Sequence, residues 1–138
     1  MKSVVLDGSM TLALLLSDER SAYTERALIA VESGRTLLVP LIWWLETLNG
    51  LVMAERRRRI SQLELIEIVQ KLTKMPVMTD EETISRAAAV TLPLSREHGL
   101  TIYDAAYLEL ALRRNAVLAT VDKALVKAAD AAGVELLT

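Results

Sequence analysis

The chain has 138 residues, enough for one domain with a sizeable core, and its 52% hydrophobic content suits a compact globule. Sixteen basic residues stand against eighteen acidic ones, so the net charge of −2 excludes a general pull on nucleic acid while leaving room for a local basic patch. Cysteine is absent, which excludes disulfides, thiol nucleophiles and cysteine metal sites and is compatible with a reducing cytoplasm.

The first apolar run, Ser3 to Leu6, has strand length and stops at Asp7. With one lysine before it and a charge so early, it does not read as a signal peptide. No apolar run approaches the roughly 18 residues of a membrane span. A soluble, single-domain, cytoplasmic protein spanning 1–138 is the expectation.

Asp7-Gly8-Ser9 makes a strand-to-helix turn, and Ser9 to Leu16 follows as a helix. Glu19 to Glu32 carries Tyr23, Ala27, Leu28 and Val31 on one helical stripe, with Gly34 as its stop. Thr36 to Val39 is a second strand, and Pro40 suits the first turn of a helix over Leu41 to Arg56. On that helix Glu46 shares a stripe with Ile42, Trp43, Asn49, Gly50 and Met53, an unusual setting for a charge. Ser61 and Glu64 form a capping box for a helix to Leu72, and Met75 to Met78 is a third strand. Thr79 or Asp80 caps a helix to about Glu97, interrupted or kinked by Pro93 and ended by Gly99. Tyr103 to Arg114 is helical, with Asp104 in line with Leu108, Ala111 and Leu112. Ala116 to Ala119 is a fourth strand leading to Thr120 and Asp122. Lys123 to Ala132 is the last helix, Gly133 stops it, and Val134 to Leu137 is a fifth strand.

Short apolar strands alternating with helices predict an α/β fold, a three-layer arrangement with a central parallel sheet covered by helices on both faces. Right-handed crossovers then place strand carboxyl ends and helix amino ends on one edge, where such folds bind ligands. Asp7, Glu46, Asp104 and Asp122 all fall at that edge. Asp7 and Asp122 equally suit helix N-caps; Glu46 and Asp104 are harder to explain that way because both lie on apolar stripes, where a buried acid satisfied by a hydrogen bond is the lesser alternative. Four carboxylates in one pocket raise each other's pKa values unless a cation lies among them. With His98 the only histidine, an all-oxygen set suits Mg²⁺ or Mn²⁺ rather than zinc, and such ions activate water for attack on a phosphodiester.

The stretches VVLDGS, VPLIWWLETLNGL and TIYDAAYLELALRRNAVLATVDKALVKAADAAGVELL resemble the PIN-domain family, specifically its VapC-type toxin ribonucleases. The resemblance covers the chain in order, with a weak middle from Arg56 to His98. It implies a PIN-like sheet of order 3-2-1-4-5 and a metal-binding, catalytic set of Asp7, Glu46, Asp104 and Asp122. It also implies supporting roles for Ser9 and Thr120, and for Asn49 in orienting Glu46. An RNA substrate, a Mg²⁺ or Mn²⁺ cofactor, a homodimer and a cognate VapB-type antitoxin follow from the same likeness. A homodimer also suits the apolar surface of the Ile42 to Met53 helix.

Arg56, Arg57, Arg58 and Arg59 end that helix; their forks suit an RNA backbone, but a solvated helix end is the commoner explanation of such a run. Trp43 and Trp44 are adjacent, so one packs inward and the other is free for an interface. Arg113 and Arg114 are read as supports of their helix's carboxyl end. A receiver domain is rejected because Asp7 stands alone, and a P-loop hydrolase because GxxxxGK[ST] is absent. A PIN-fold module that binds RNA or protein without cutting is the remaining alternative.

Overall fold

The computed structural model describes residues 1–137. Four three-residue strands, β1 (Val4–Leu6), β2 (Leu37–Val39), β3 (Val77–Thr79) and β4 (Val117–Ala119), form one parallel sheet in the order β3-β2-β1-β4. β1, β2 and β4 are apolar and buried at every position, as befits parallel strands covered on both faces. The expected fifth strand is a single bridge between Leu118 and Leu136, held by Leu118 N–H to Glu135 O and Leu137 N–H to Leu118 O. The order 3-2-1-4-5 is therefore kept, with its last member reduced to one pairing.

Among the described residues seven α-helices flank the sheet: α1 (Gly8–Leu15), α2 (Ala22–Glu32), α3 (Trp43–Arg56), α4 (Gln62–Thr73), α5 (Leu92–His98), α6 (Ile102–Arg113) and α7 (Lys123–Ala132). α1 packs with α2 and α3, while α6 lies across β1, β2 and β4 with α5 and α7 beside it. α6 is buried without interruption from Ala105 to Ala111, because its Ala-rich sequence lets it sit deep among these neighbours. A stripe of exposure is therefore missing where periodicity suggested one. Ser61 caps α4 with the expected capping box, and Ser21 with Thr24 forms a second one on α2. Gly133 ends α7 in the left-handed conformation, at φ 76°.

The helix expected from Thr79 or Asp80 to Glu97 is broken. Residues 81–86 are turns, Ala87–Thr91 is a π-helical stretch, and only Leu92–His98 is α-helical. Pro93 has no N–H for the carbonyl four residues back, and the chain widens ahead of it. Thr91 N–H reaches Arg86 O and Leu92 N–H reaches Ala87 O, each five residues back. Asp80 caps no helix. Its carboxylate accepts instead from Thr83 and Arg113.

Gly50 sets the approach of α3 to α1: a Cβ there would stand 2.3 Å from Leu12 Cδ1. Trp43, fully buried, donates its indole N–H to Thr11 Oγ1 at 2.8 Å, and Thr11 in turn donates to Asp7 O at 2.7 Å. These contacts lock the register of α3, and hence of Glu46, against α1. Among the described residues no helix is long and apolar enough to cross a membrane.

Candidate active site

The carboxyl ends of β1 and β4 and the amino ends of four helices meet at one edge of the sheet. Asp7 is the N-cap of α1 and Asp122 the N-cap of α7, their carboxylates accepting from Met10 N–H at 2.8 Å and Leu125 N–H at 2.9 Å. Asp104 lies in the first turn of α6, whose N-cap Thr101 accepts from Asp104 N–H at 3.1 Å. Glu46 lies in the first turn of α3, which begins at Trp43 rather than Leu41 and so sets Glu46 nearer the edge than its sequence position suggested. Each acid thus sits where a helix dipole favours negative charge. Asp7 and Asp122 each cap a helix and also line the cleft.

That cleft has a volume of about 240 Å³ and is lined by Asp7, Gly8, Ser9, Leu12, Glu46, Asp104, Tyr107 and Asp122. Asp7 forms its floor, 2% exposed. Ser9 Oγ donates to its carboxylate at 2.8 Å, and Thr120 Oγ1 donates to Asp7 Oδ2. Thr120 Oγ1 also accepts from Asp122 N–H at 3.0 Å, and Ser9 Oγ accepts from Val121 N–H at 3.2 Å. The two hydroxyls therefore stitch the end of β4 to the start of α1.

Burial pushes the Asp7 carboxyl up to about 6, against the opposing pull of its hydrogen bonds from Thr120, Met10 and Ser9, with the Asp104 charge adding to the rise. Glu46 is raised by burial and by Asp104, and Asp104 by burial and by Asp122. The acids therefore repel one another through the cleft. Among the described residues no arginine or lysine forms a salt bridge to any of the four.

Glu46 is hydrogen-bonded by a residue other than Asn49. Asn49 is exposed and makes no hydrogen bond to Glu46 among the described residues; Tyr107 Oη donates to Glu46 Oε1 at 2.5 Å. Tyr107 was not singled out from the sequence. The signal was there, since a tyrosine inside the apolar run of α6 and three residues after Asp104 needs a polar partner for its hydroxyl.

The arginine run does not reach the cleft along its own helix. Arg56 lies ten residues beyond Glu46, about 15 Å along α3 and away from the edge that holds the acids. Arg59 pairs with Asp18 at 3.0 Å and Glu19 at 2.7 Å, and Arg58 turns the chain with φ 60°. Arg56, Arg57 and Arg58 make no salt bridge among the described residues. Neither tryptophan is free: Trp43 is buried, and Trp44 packs edge-on against it while donating to Thr79 Oγ1 at 3.0 Å.

Four oxygen-donor carboxylates around one cleft, with charges that no protein cation answers, fit a hard divalent ion in donor chemistry. As placed, the described residues include no group of three acidic or histidine side chains gathered tightly enough to hold one. Asp7, Glu46 and Asp122 instead spend oxygens on Thr120, Tyr107 and Leu125.

The parallel sheet thus carries an acidic cleft at the carboxyl edge of its central strands. The chain belongs to the PIN domain family, whose model matches residues 4–131. It is 29% identical over 122 residues to Ribonuclease VapC3 of Pyrobaculum aerophilum, covering 88% of this chain and 91% of that protein. Its fold is similar to that of PAE2754 from Pyrobaculum aerophilum, with a TM-score of 0.67 at 23% identity over 92% of this chain and 79% of the other. It is also similar to Mycobacterium tuberculosis VapC20, a Sarcin-Ricin loop cleaving toxin, with a TM-score of 0.65 at 17% identity over 99% and 100%.

Proposed function

We propose that this protein is a divalent-metal-dependent endoribonuclease, the toxin of a VapBC-type toxin–antitoxin pair. The observation that carries the reading is the contrast among its acids. Asp7, Glu46 and Asp104 are raised by burial and by the charge of a neighbouring acid, and no cation among the described residues pairs with any of the four, whereas the buried side chains of Asp80 and Glu109 are answered by Arg113. The membership in the PIN family and the similarity to a ribonuclease over most of both chains support it.

Asp7, Glu46, Asp104 and Asp122 are the residues that would hold Mg²⁺ or Mn²⁺. Such an ion would supply an activated water and neutralise charge on the phosphate. Asp7, held by Ser9, Thr120 and Met10, is the most fixed of the four. Asp104, next to its N-cap Thr101, forms no salt bridge among the described residues. Attack by water predicts products with 5′-phosphate and 3′-hydroxyl ends.

The test is cleavage of structured RNA by the full chain with Mg²⁺, with EDTA, and by Asp7→Asn. We expect cleavage only by the wild-type protein with the ion. Cleavage that survives excess EDTA or the Asp7→Asn change would sink the mechanism, while RNA binding without cutting would favour the non-catalytic alternative. We further propose a cytoplasmic homodimer that a VapB-type antitoxin inhibits. Exposed Leu45, Leu63, Ile66 and Ile84 supply apolar surface for such contacts. Light scattering reads the mass directly, and a monomer at tens of micromolar counts against the dimer.

A further inference from the structure

Tyr107 stands apart from the other cleft residues because it belongs to the core. Its ring is 1% exposed and held among the buried residues of α6, so its hydroxyl emerges in one direction. There it meets Glu46 Oε1 at 2.5 Å, joining α6 to α3 across 61 positions. Gly8 closes the space beside this contact: a Cβ on it would lie 3.6 Å from Glu46 Cβ and 3.7 Å from both Glu46 Oε1 and Tyr107 Oη. The bond therefore sits where α1, α3 and α6, the helices of Asp7, Glu46 and Asp104, come together.

Glu46 needs such a restraint. It is half-buried, its side chain has three rotatable bonds, and Tyr107 is its only side-chain hydrogen-bond partner among the described residues. Its second oxygen, Oε2, accepts no hydrogen bond from them. We propose that Tyr107 is a positioning residue for Glu46, pinning Oε1 so that Oε2 is the single oxygen this acid offers to the cleft. The inference rests on the reading of Glu46 as an ion-holding acid. It adds that the one-oxygen geometry is imposed from the core of α6 rather than chosen by the ion. Groups that orient ligating carboxylates change metal affinity or activity by about 10–100-fold when removed, which sets the effect to look for.

A purely structural tyrosine would predict something else: lower stability and an unaltered site in whatever protein remains folded. Calorimetric titration of Mn²⁺ alone into the full chain separates the two, using wild type, Tyr107→Phe, Glu46→Ala and the double variant. We expect Tyr107→Phe to weaken Mn²⁺ binding about tenfold or more and to lower kcat for RNA cleavage with KM unchanged. In the Glu46→Ala background the same change should have no further effect, because Tyr107 acts only through Glu46. Equal Mn²⁺ affinity in wild type and Tyr107→Phe overturns the inference alone, as does an equal loss in the Glu46→Ala background. A wild-type protein that takes up no Mn²⁺ overturns the metal reading and this inference with it. Should Tyr107→Phe fail to fold, Glu46→Asp keeps the ring and draws the carboxylate out of the hydroxyl's reach. It must then lose affinity similarly, and wild-type binding by that variant overturns the proposal.

Discussion

Asp80 and Glu109 have side chains only 6% and 4% exposed, yet they do not belong to the cleft. Burial drives the Asp80 carboxyl up, but Arg113 and Thr83 outweigh it and hold it below the usual carboxylate range. Asp7, 2% exposed, is the more deeply buried and ends on the other side of the balance, at about 6 from an ordinary 3.8. Three hydrogen-bond donors soften its burial; among the described residues no cation pairs with it. For an acid whose folded pKa is raised, the folded state binds more protons than the unfolded one. Stability therefore falls as pH rises from 3.8 to about 6, and the whole cost is present above that range. A shift of that size corresponds to about 3 kcal/mol. Asp7→Asn keeps an acceptor for Met10 N–H and removes the charge, so it should flatten this part of the pH profile and be the more stable protein at pH near 7 without metal. Urea unfolding of both proteins between pH near 4 and pH near 7 measures it. Equal slopes would mean that Asp7 ionises without strain.

At the scale of elements, the four acids were legible because each sits at a strand end or in the first turn of a helix, and short apolar strands fix those positions in sequence. The capping box at Ser61 and the bounds of α7 were legible for the same reason: local residues decide them. What escaped was decided at a distance. Tyr107 found Glu46 across 61 positions, and Arg113, read as a helix-end support, proved to be a nearly buried staple. It binds Glu109 at 2.9 Å on its own helix, Asp80 at 2.7 Å after β3, and Glu82 at 3.2 Å in the following turn. This triple pairing holds residues 80–86 against α6, where a regular helix was expected. Removing one partner of a buried ion pair costs about 3–5 kcal/mol, since the remaining charges are left without water or counter-ion. Arg113→Met should lose stability on that scale by urea unfolding. Arg113→Lys should recover only part of it, because an ammonium cannot reproduce the three-way fork. A loss below 1 kcal/mol for the methionine variant would show the network to be dispensable.

For the whole molecule, the cleft's unanswered charge links the site to global stability. Asp104 is raised by burial and by the charge of Asp122, and it raises Asp7 and Glu46 in turn. Among the described residues no arginine or lysine pairs with it, and a hydrogen bond with Thr101 offsets its rise only in part. In the absence of metal the folded chain thus carries a repulsion that its unfolded form escapes. Mg²⁺ that binds only the folded state should raise Tm by mass action. Replacing Asp104 by Asn keeps the shape and deletes one charge. Without metal that variant should be at least as stable as wild type; with Mg²⁺ it should gain less and cut no RNA. Were Asp104 a structural acid like Asp80, the same substitution should instead cost about 1–3 kcal/mol through lost hydrogen bonding. Parallel melts of the two proteins, with and without saturating Mg²⁺, separate these outcomes. A destabilised Asn variant with an undiminished response to Mg²⁺ would remove Asp104 from the site and leave the ion to the other three acids.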